Sequence, residues 1–209
     1  MQELTALAGI AAALALGAAS PGPSFVMVAR TAAASSRAQG VAAALGMGLG
    51  GLVFALAALA GLQALLLALP SLYLALKLVG GLYLAYLGIR IWRGAGQTRL
   101  DLGTALGGAR ASRPFLLGLV TQLSNPKTAI VYASVFAAFL PAQSTPVFKL
   151  VVAATVFVIE AGWYSLVALA LSTTAPRQAY LRYQAWVDRA AGGVMVALGL
   201  KLAVAAQRP

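Results

Sequence analysis

The chain has 209 residues, of which 61% are hydrophobic and 9% charged, and its mean hydropathy is +0.89. A soluble domain carries about 25% charged residues, so this composition reads as an integral membrane protein. Cysteine and histidine are both absent, which removes disulfides, thiol chemistry, the usual zinc ligands and the commonest general base. No nucleophile and base constellation, metal cluster or cofactor motif is visible, so an enzyme is not expected. The formal charge of +11 would suggest nucleic acid in a soluble protein. Here the basic residues flank apolar runs without interleaved aromatics, and they read as determinants of membrane topology.

The first apolar run, Leu4 to Ala29, carries no charge and exceeds the roughly 20 residues that a crossing helix needs. Its beginning looks like a secretory signal ending in Gly17-Ala18-Ala19-Ser20. Glu3 and the lack of Lys or Arg before it, with the apolar run continuing to Arg30, argue for a retained span. Pro21-Gly22-Pro23 breaks this span, because a proline removes a backbone donor and clashes with the preceding turn. The uncharged stretch 38–76 is divided at Pro70-Ser71, giving spans near 39–68 and 72–90. Its glycines, Gly40, Gly46, Gly48, Gly50 and Gly51, are spaced for close helix packing, with Gly46 and Gly50 in a GxxxG pattern. Lys77 and Lys201 lie near span ends and can snorkel outward.

A polar, Arg- and Gly-rich segment, 93–113, precedes a fourth span from Pro114 to Pro141. That span is broken at Asn125-Pro126-Lys127, where Lys127 sits too deep for easy snorkelling towards the cytoplasm. A fifth span covers about 147–171 and contains Glu160, at a similar depth. A sixth covers about 190–206, with Asp188 at its start on the cytoplasmic boundary. The whole reads as one transmembrane domain of six helices. The basic residues cluster in alternate connections: Arg30 and Arg37; Arg90, Arg93, Arg99, Arg110 and Arg113; Arg177, Arg182 and Arg189. The positive-inside rule places these connections in the cytoplasm and both termini outside it.

The segment from Gly80-Gly81 to Gly88 resembles that from Gly192-Gly193 to Gly199. With proline breaks in spans one and four, this points to halves of about 1–92 and 114–209. Three spans per half force the halves into opposite polarity, an inverted 3+3 repeat. Substrate sites in such folds lie between the halves, where broken helices leave backbone groups that only protein or trapped water can satisfy. The expected pathway is lined by Ser20, Pro21, Gly22, Pro23 and Ser24 from the first break, by Gln122, Asn125, Pro126 and Lys127 from the second, and by Glu160. Thr121 and Tyr132 could extend it. A buried charge is costly unless paired, so Glu160 and Lys127 are expected to share a polar cavity, with Glu160 a candidate for taking up and releasing a proton.

Together these residues resemble the LysE/RhtB family of bacterial amino-acid exporters. The resemblance rests on Ser20-Pro21-Gly22-Pro23, the Gly-rich second span, Tyr83-Leu84-Ala85-Tyr86-Leu87-Gly88, Phe115-Leu116-Leu117-Gly118, Leu123-Ser124-Asn125-Pro126-Lys127, Glu160 and the Gly-rich sixth span. It implies a multi-pass protein of the bacterial inner membrane that exports amino acids or close derivatives by proton antiport with alternating access, often as a homodimer, and without a cofactor. It leaves the amino acid open. Many relatives carry Asp or Asn after the first-span prolines and an acid after the second-span glycine, where this chain has Ser24 and Gly51, which favours a neutral amino acid over a dibasic one. The competing reading is a non-transporting membrane partner or assembly subunit whose polar residues only lock helices together.

Overall fold

A computed structural model of the chain describes residues 2–20, 22–68, 70–95, 113–141 and 143–205. Pro21, Arg99, Arg110, Arg208 and most of the segment read as the central loop lie outside the described residues. So do the side chains of Lys77, Pro126, Arg177 and Lys201.

Eight α-helices follow one another: α1 (Gln2–Ala19), α2 (Pro23–Ala34), α3 (Arg37–Ala68), α4 (Pro70–Arg93), α5 (Pro114–Leu123), α6 (Pro126–Phe139), α7 (Pro146–Leu171) and α8 (Thr174–Ala205). Among the described residues there is no strand. Gln2–Ala19, Arg37–Gly61 and Pro146–Leu171 are long and apolar enough to cross a membrane, and Pro114–Leu123 and Lys127–Phe139 are shorter apolar helices. The two interruptions divide what would otherwise be long spans into α1 with α2 and α5 with α6. Pro23 and Pro126 each stand in the first turn of the helix that follows, where a missing N–H costs nothing and the fixed φ suits the start of a helix. They therefore begin helices and do not kink them.

One expectation is corrected. The stretch read as a basic connection before the sixth span is helical, because α8 runs unbroken from Thr174 to Ala205. Pro176 falls in its first turn and no further proline occurs before its end at Ala205, so no proline interrupts the helix. Arg182 and Arg189 project from an exposed face, while Asp188 lies mid-helix and is only 3% exposed. Asp188 is thus an interior residue and not the start of a helix at the membrane boundary.

Close packing explains the glycines. A Cβ at Gly88 would stand 2.5 Å from the Gly192 carbonyl oxygen, one at Gly192 would stand 2.6 Å from the Gly88 carbonyl oxygen, and one at Gly199 would stand 2.5 Å from the Gly81 carbonyl oxygen. These contacts run α4 and α8 antiparallel, backbone against backbone, along the two segments that resemble each other in sequence. Helices α3 and α7 also run antiparallel, with Gly40 against Ala168 and Gly48 against Ala161. The other α3 stripe meets α5, with Gly46 against the Phe115 carbonyl and Gly118 against the Ala43 carbonyl. The spaced glycines of the second span are spent on packing within the chain.

Two apolar clusters result. One gathers Ile10 and Leu14 of α1, Val135 and Phe136 of α6, Val152 and Val156 of α7, and Met195 of α8. The other gathers Phe25, Val28 and Ala29 of α2, Ala43, Ala44 and Met47 of α3, and Tyr164, Val167 and Ala168 of α7. At the far ends, Glu3 accepts from the backbone N–H of Thr145 (2.8 Å), and Arg37 Nε donates to Ser172 Oγ (2.9 Å).

The α4–α8 seam gives a direct prediction. Gly88→Leu should lower stability by about 3 kcal/mol or more, since backbone stands where the side chain must go. Gly162→Ala, which meets nothing within 4 Å, should stay within about 0.5 kcal/mol of wild type. Thermal unfolding of both variants in detergent reads the difference, and equal midpoints would show that the seam is not tight.

Candidate functional site

Between the two apolar clusters lies a layer of buried polar side chains: Ser20, Ser24, Gln122, Asn125 and Glu160. Each belongs to a helix break or faces one. Helix α1 ends at Ala19, and its last turn leaves carbonyls without helical partners. Lys127, on the first turn of α6, fills that deficit: its Nζ donates to the Ser20 carbonyl at 2.8 Å and to the Gly17 carbonyl at 3.3 Å. An ammonium at a helix C-terminus also gains from the macrodipole, by up to about 2 kcal/mol in partly buried settings. Across the break, Gly22 is the N-cap of α2, in extended conformation and without a side-chain cap.

The second break is capped by its own residue. Asn125 accepts from the backbone N–H of Lys127 through Oδ1 (3.0 Å), which starts α6, and its Nδ2 donates to Ser24 Oγ (2.9 Å). Ser24 donates in turn to Gln122 Oε1 (2.8 Å), and Gln122 Nε2 donates to Glu160 Oε2 (3.0 Å). The other carboxylate oxygen accepts from the Tyr132 hydroxyl at 3.0 Å. A continuous chain of hydrogen bonds therefore joins Asn125, Ser24, Gln122, Glu160 and Tyr132, tying the α1–α2 break to the α5–α6 break and both to α7. Such a network is favourable in a low dielectric only when its members are satisfied.

The structure brings the residues read from the sequence together as follows. Ser20, Gly22, Ser24, Asn125, Lys127 and Glu160 line one cavity, with Tyr132 and Tyr164. Gln122 stands behind it, holding Glu160. Pro23 faces the opposite side of α2, on a wider opening with Arg30 and Thr31. Pro126 stands in the first turn of α6, and Pro21 is outside the described residues. Lys127 and Glu160 share the cavity, while the closest partners of Lys127 are backbone carbonyls. The cavity itself measures about 20 Å³, room for about one water molecule and far too little for an amino acid. Leu14 and Val131 on one side and Tyr164 on the other, members of the two apolar clusters, share its lining.

Three further residues belong to this layer. Tyr164 lies one turn beyond Glu160 on α7, an i, i+4 spacing that places both on one face. Gly51 leaves room for the carboxylate pair: a Cβ there would stand 2.7 Å from the Tyr132 hydroxyl and 2.9 Å from Glu160 Cγ. Asp188 is buried on α8 and acts electrostatically on Lys127 together with Glu160. Its spacing to Gly192, Met195 and Gly199 is that of a single helical stripe, a signal hidden by reading the preceding segment as a loop. Two buried carboxylates thus bear on one lysine.

Comparison with known proteins agrees with this architecture. The LysE type translocator family matches residues 15–206. The chain is 32% identical over 187 residues to the "Threonine efflux protein" of Escherichia coli (strain K12), covering 88% of this chain and 91% of that one. It is 30% identical over 195 residues to an uncharacterized membrane protein of Haemophilus influenzae, covering 89% and 90%. Against the "Leucine efflux protein" of Enterobacter sp. (strain 638) it is 31% identical over 126 residues, covering 60% and 59%. No solved structure shows a significant match. With a match across almost its full length, a buried charged layer in place of catalytic machinery and helices made for lipid, the chain belongs to the LysE family of membrane translocators, which are transporters and not enzymes.

Proposed function

We propose that the chain exports neutral amino acids from the cytoplasm across the bacterial inner membrane, by proton antiport with alternating access around the polar layer. The observation that carries this reading is the meeting of two helix breaks at one cavity lined by both a cationic and an anionic side chain. A zwitterion needs both signs. The N-terminal ends of α2 and α6, with Lys127, suit its carboxylate, while Glu160 and the carbonyls ending α1 suit its ammonium. The names of the relatives, threonine and leucine efflux proteins, support an amino-acid cargo moving outward.

The helix packing supports an inverted repeat. If α1–α4 and α5–α8 are related by a pseudo-dyad, α3 corresponds to α7 and α4 to α8, and both corresponding pairs pack antiparallel about one axis. The Gly88–Gly192 and Gly81–Gly199 contacts are each other's images under that operation. The basic ends near Arg30, Arg37, Arg90, Arg93 and Arg113 then face the cytoplasm, and Glu3 with Thr145 lies outside. Rocking one half against the other would separate the apolar clusters in turn and open the cavity to one side. Glu160 would carry the proton, released and rebound as Tyr132 and Gln122 reorient.

Efflux of a radiolabelled amino-acid panel from proteoliposomes, with and without a pH gradient, tests this. Glu160→Gln keeps a hydrogen-bond acceptor, so it should fold like wild type yet lose pH-driven efflux while still exchanging amino acid for amino acid. Lys127→Met should cost about 2 kcal/mol or more, since the carbonyls ending α1 lose a charged donor, and should stop both reactions. Unchanged pH-driven flux in the first variant would remove the proton role, and lost folding without any wild-type transport would favour a purely structural layer.

A second expectation concerns Gly51. Gly51→Ala should displace the Tyr132–Glu160 pair and slow efflux by about tenfold to a hundredfold, the penalty of misplacing groups by about an ångström, with little change in the amount of folded protein. Wild-type rates in this variant would mean that the carboxylate pair need not be held where it stands.

A further inference from the structure

The polar cavity has room for about one water molecule as it stands, and the structure offers a separate, larger space beside it. Directly behind Tyr132, between α3, α4 and α6, lies an apolar groove of about 550 Å³. Its walls include Phe54 and Ala58 of α3, Val79 and Tyr83 of α4, and Ala137 of α6, with Ser134 a small hydroxyl among them. Tyr132 belongs to both spaces. Its hydroxyl end sits in the polar layer on Glu160 (3.0 Å), and its ring stands in the groove, flanked by Phe54 at 5.6 Å and Phe136 at 6.1 Å between ring centroids. The ring is the partition between a space that can hold charge and a space that can hold hydrocarbon.

Resting on the export reading above, we propose that this groove receives the side chain of the transported amino acid, that Tyr132 is the specificity-determining residue at its mouth, and that the cargo is an amino acid with a bulky aliphatic side chain. The two spaces match the two parts of such a molecule. With ammonium and carboxylate held in the polar layer, displacement of the Tyr132 ring joins the layer to the groove and lets the side chain lie between Phe54 and Ala137. Filling an apolar pocket raises discrimination by about tenfold or more per methylene, whereas a small side chain such as a methyl group leaves the groove unfilled. The aromatic neighbours offer the ring an alternative packing place, so its movement exchanges one set of apolar contacts for another. The motif residue Tyr83 gains a role here as the α4 wall.

The test is a comparison of two substrates in one vesicle preparation. Proteoliposomes loaded with equal radiolabelled leucine and alanine should release leucine faster with the wild-type protein. Ala133→Phe, which plugs the groove from its exposed lip on α6, should lower the leucine-to-alanine rate ratio by about tenfold. Should that variant fail to give folded protein by gel filtration in detergent, Ala57→Phe plugs the same groove from α3 and should give the same drop. An unchanged ratio in a folded plugged variant, as expected if the groove holds only a lipid chain, or faster release of alanine by wild type, would overturn the proposal while leaving export intact. Absence of efflux of every amino acid by wild type would strike the export reading and take this proposal with it.

Discussion

The ammonium of Lys127 on the carbonyls of Gly17 and Ser20 is the contact on which the centre of the molecule depends. In water a helix can end anywhere, since solvent satisfies the last carbonyls. In hydrocarbon each unsatisfied group costs several kcal/mol, and a chain that stops a helix halfway must bring its own donors. Here the donor that finishes α1 is the first-turn lysine of α6, which is itself placed by Asn125 capping that turn. Each break therefore completes the other. Neither half of the chain could present its interruption alone without leaving a buried charge or bare carbonyls.

The remaining polar groups follow from that pairing. Once Lys127 is committed to backbone, Glu160 is held by neutral donors, Tyr132 and Gln122, and not by a direct ion pair. A direct pair buried in apolar surroundings is hard to separate. A carboxylate held by a phenol and an amide, with a lysine nearby in the same cavity, can exchange partners at lower cost. The layer as it stands leaves room for about one water molecule. The close glycine seams of α4 with α8 and α3 with α7 stiffen the helices around this layer, because backbone-to-backbone contacts have little room to deform.

Much of this was legible in the sequence because membranes punish ambiguity. Charge-free runs longer than a bilayer, prolines inside them and a lysine beside one of those prolines have few physical solutions, and Ser24, Asn125, Lys127 and Glu160 do converge on one cavity. The glycine stripes were readable as packing, though not their partners, since spacing on one helix says nothing about which helix meets it. What escaped was Asp188. A basic, polar segment before an apolar one reads as a loop, yet the same residues serve as the amphipathic start of a long helix, and only the continuity of α8 turns Asp188 inward on the stripe of Gly192 and Met195. The direct pairing of Lys127 with backbone was equally hidden, because the sequence shows charged side chains and not which carbonyls a break leaves bare.

Tyr132 connects the polar layer to the apolar groove. A phenol can satisfy a buried carboxylate at one end and pack as hydrocarbon at the other. Phenylalanine would leave Glu160 with one donor fewer, and a shorter hydroxyl would leave the aromatic wall of the groove open. Placing it one helical turn beyond Thr128 puts its hydroxyl at the depth of the polar layer and its ring against Phe54 and Phe136. Gly51 then has to be small, because the hydroxyl and the carboxylate meet over its α-carbon.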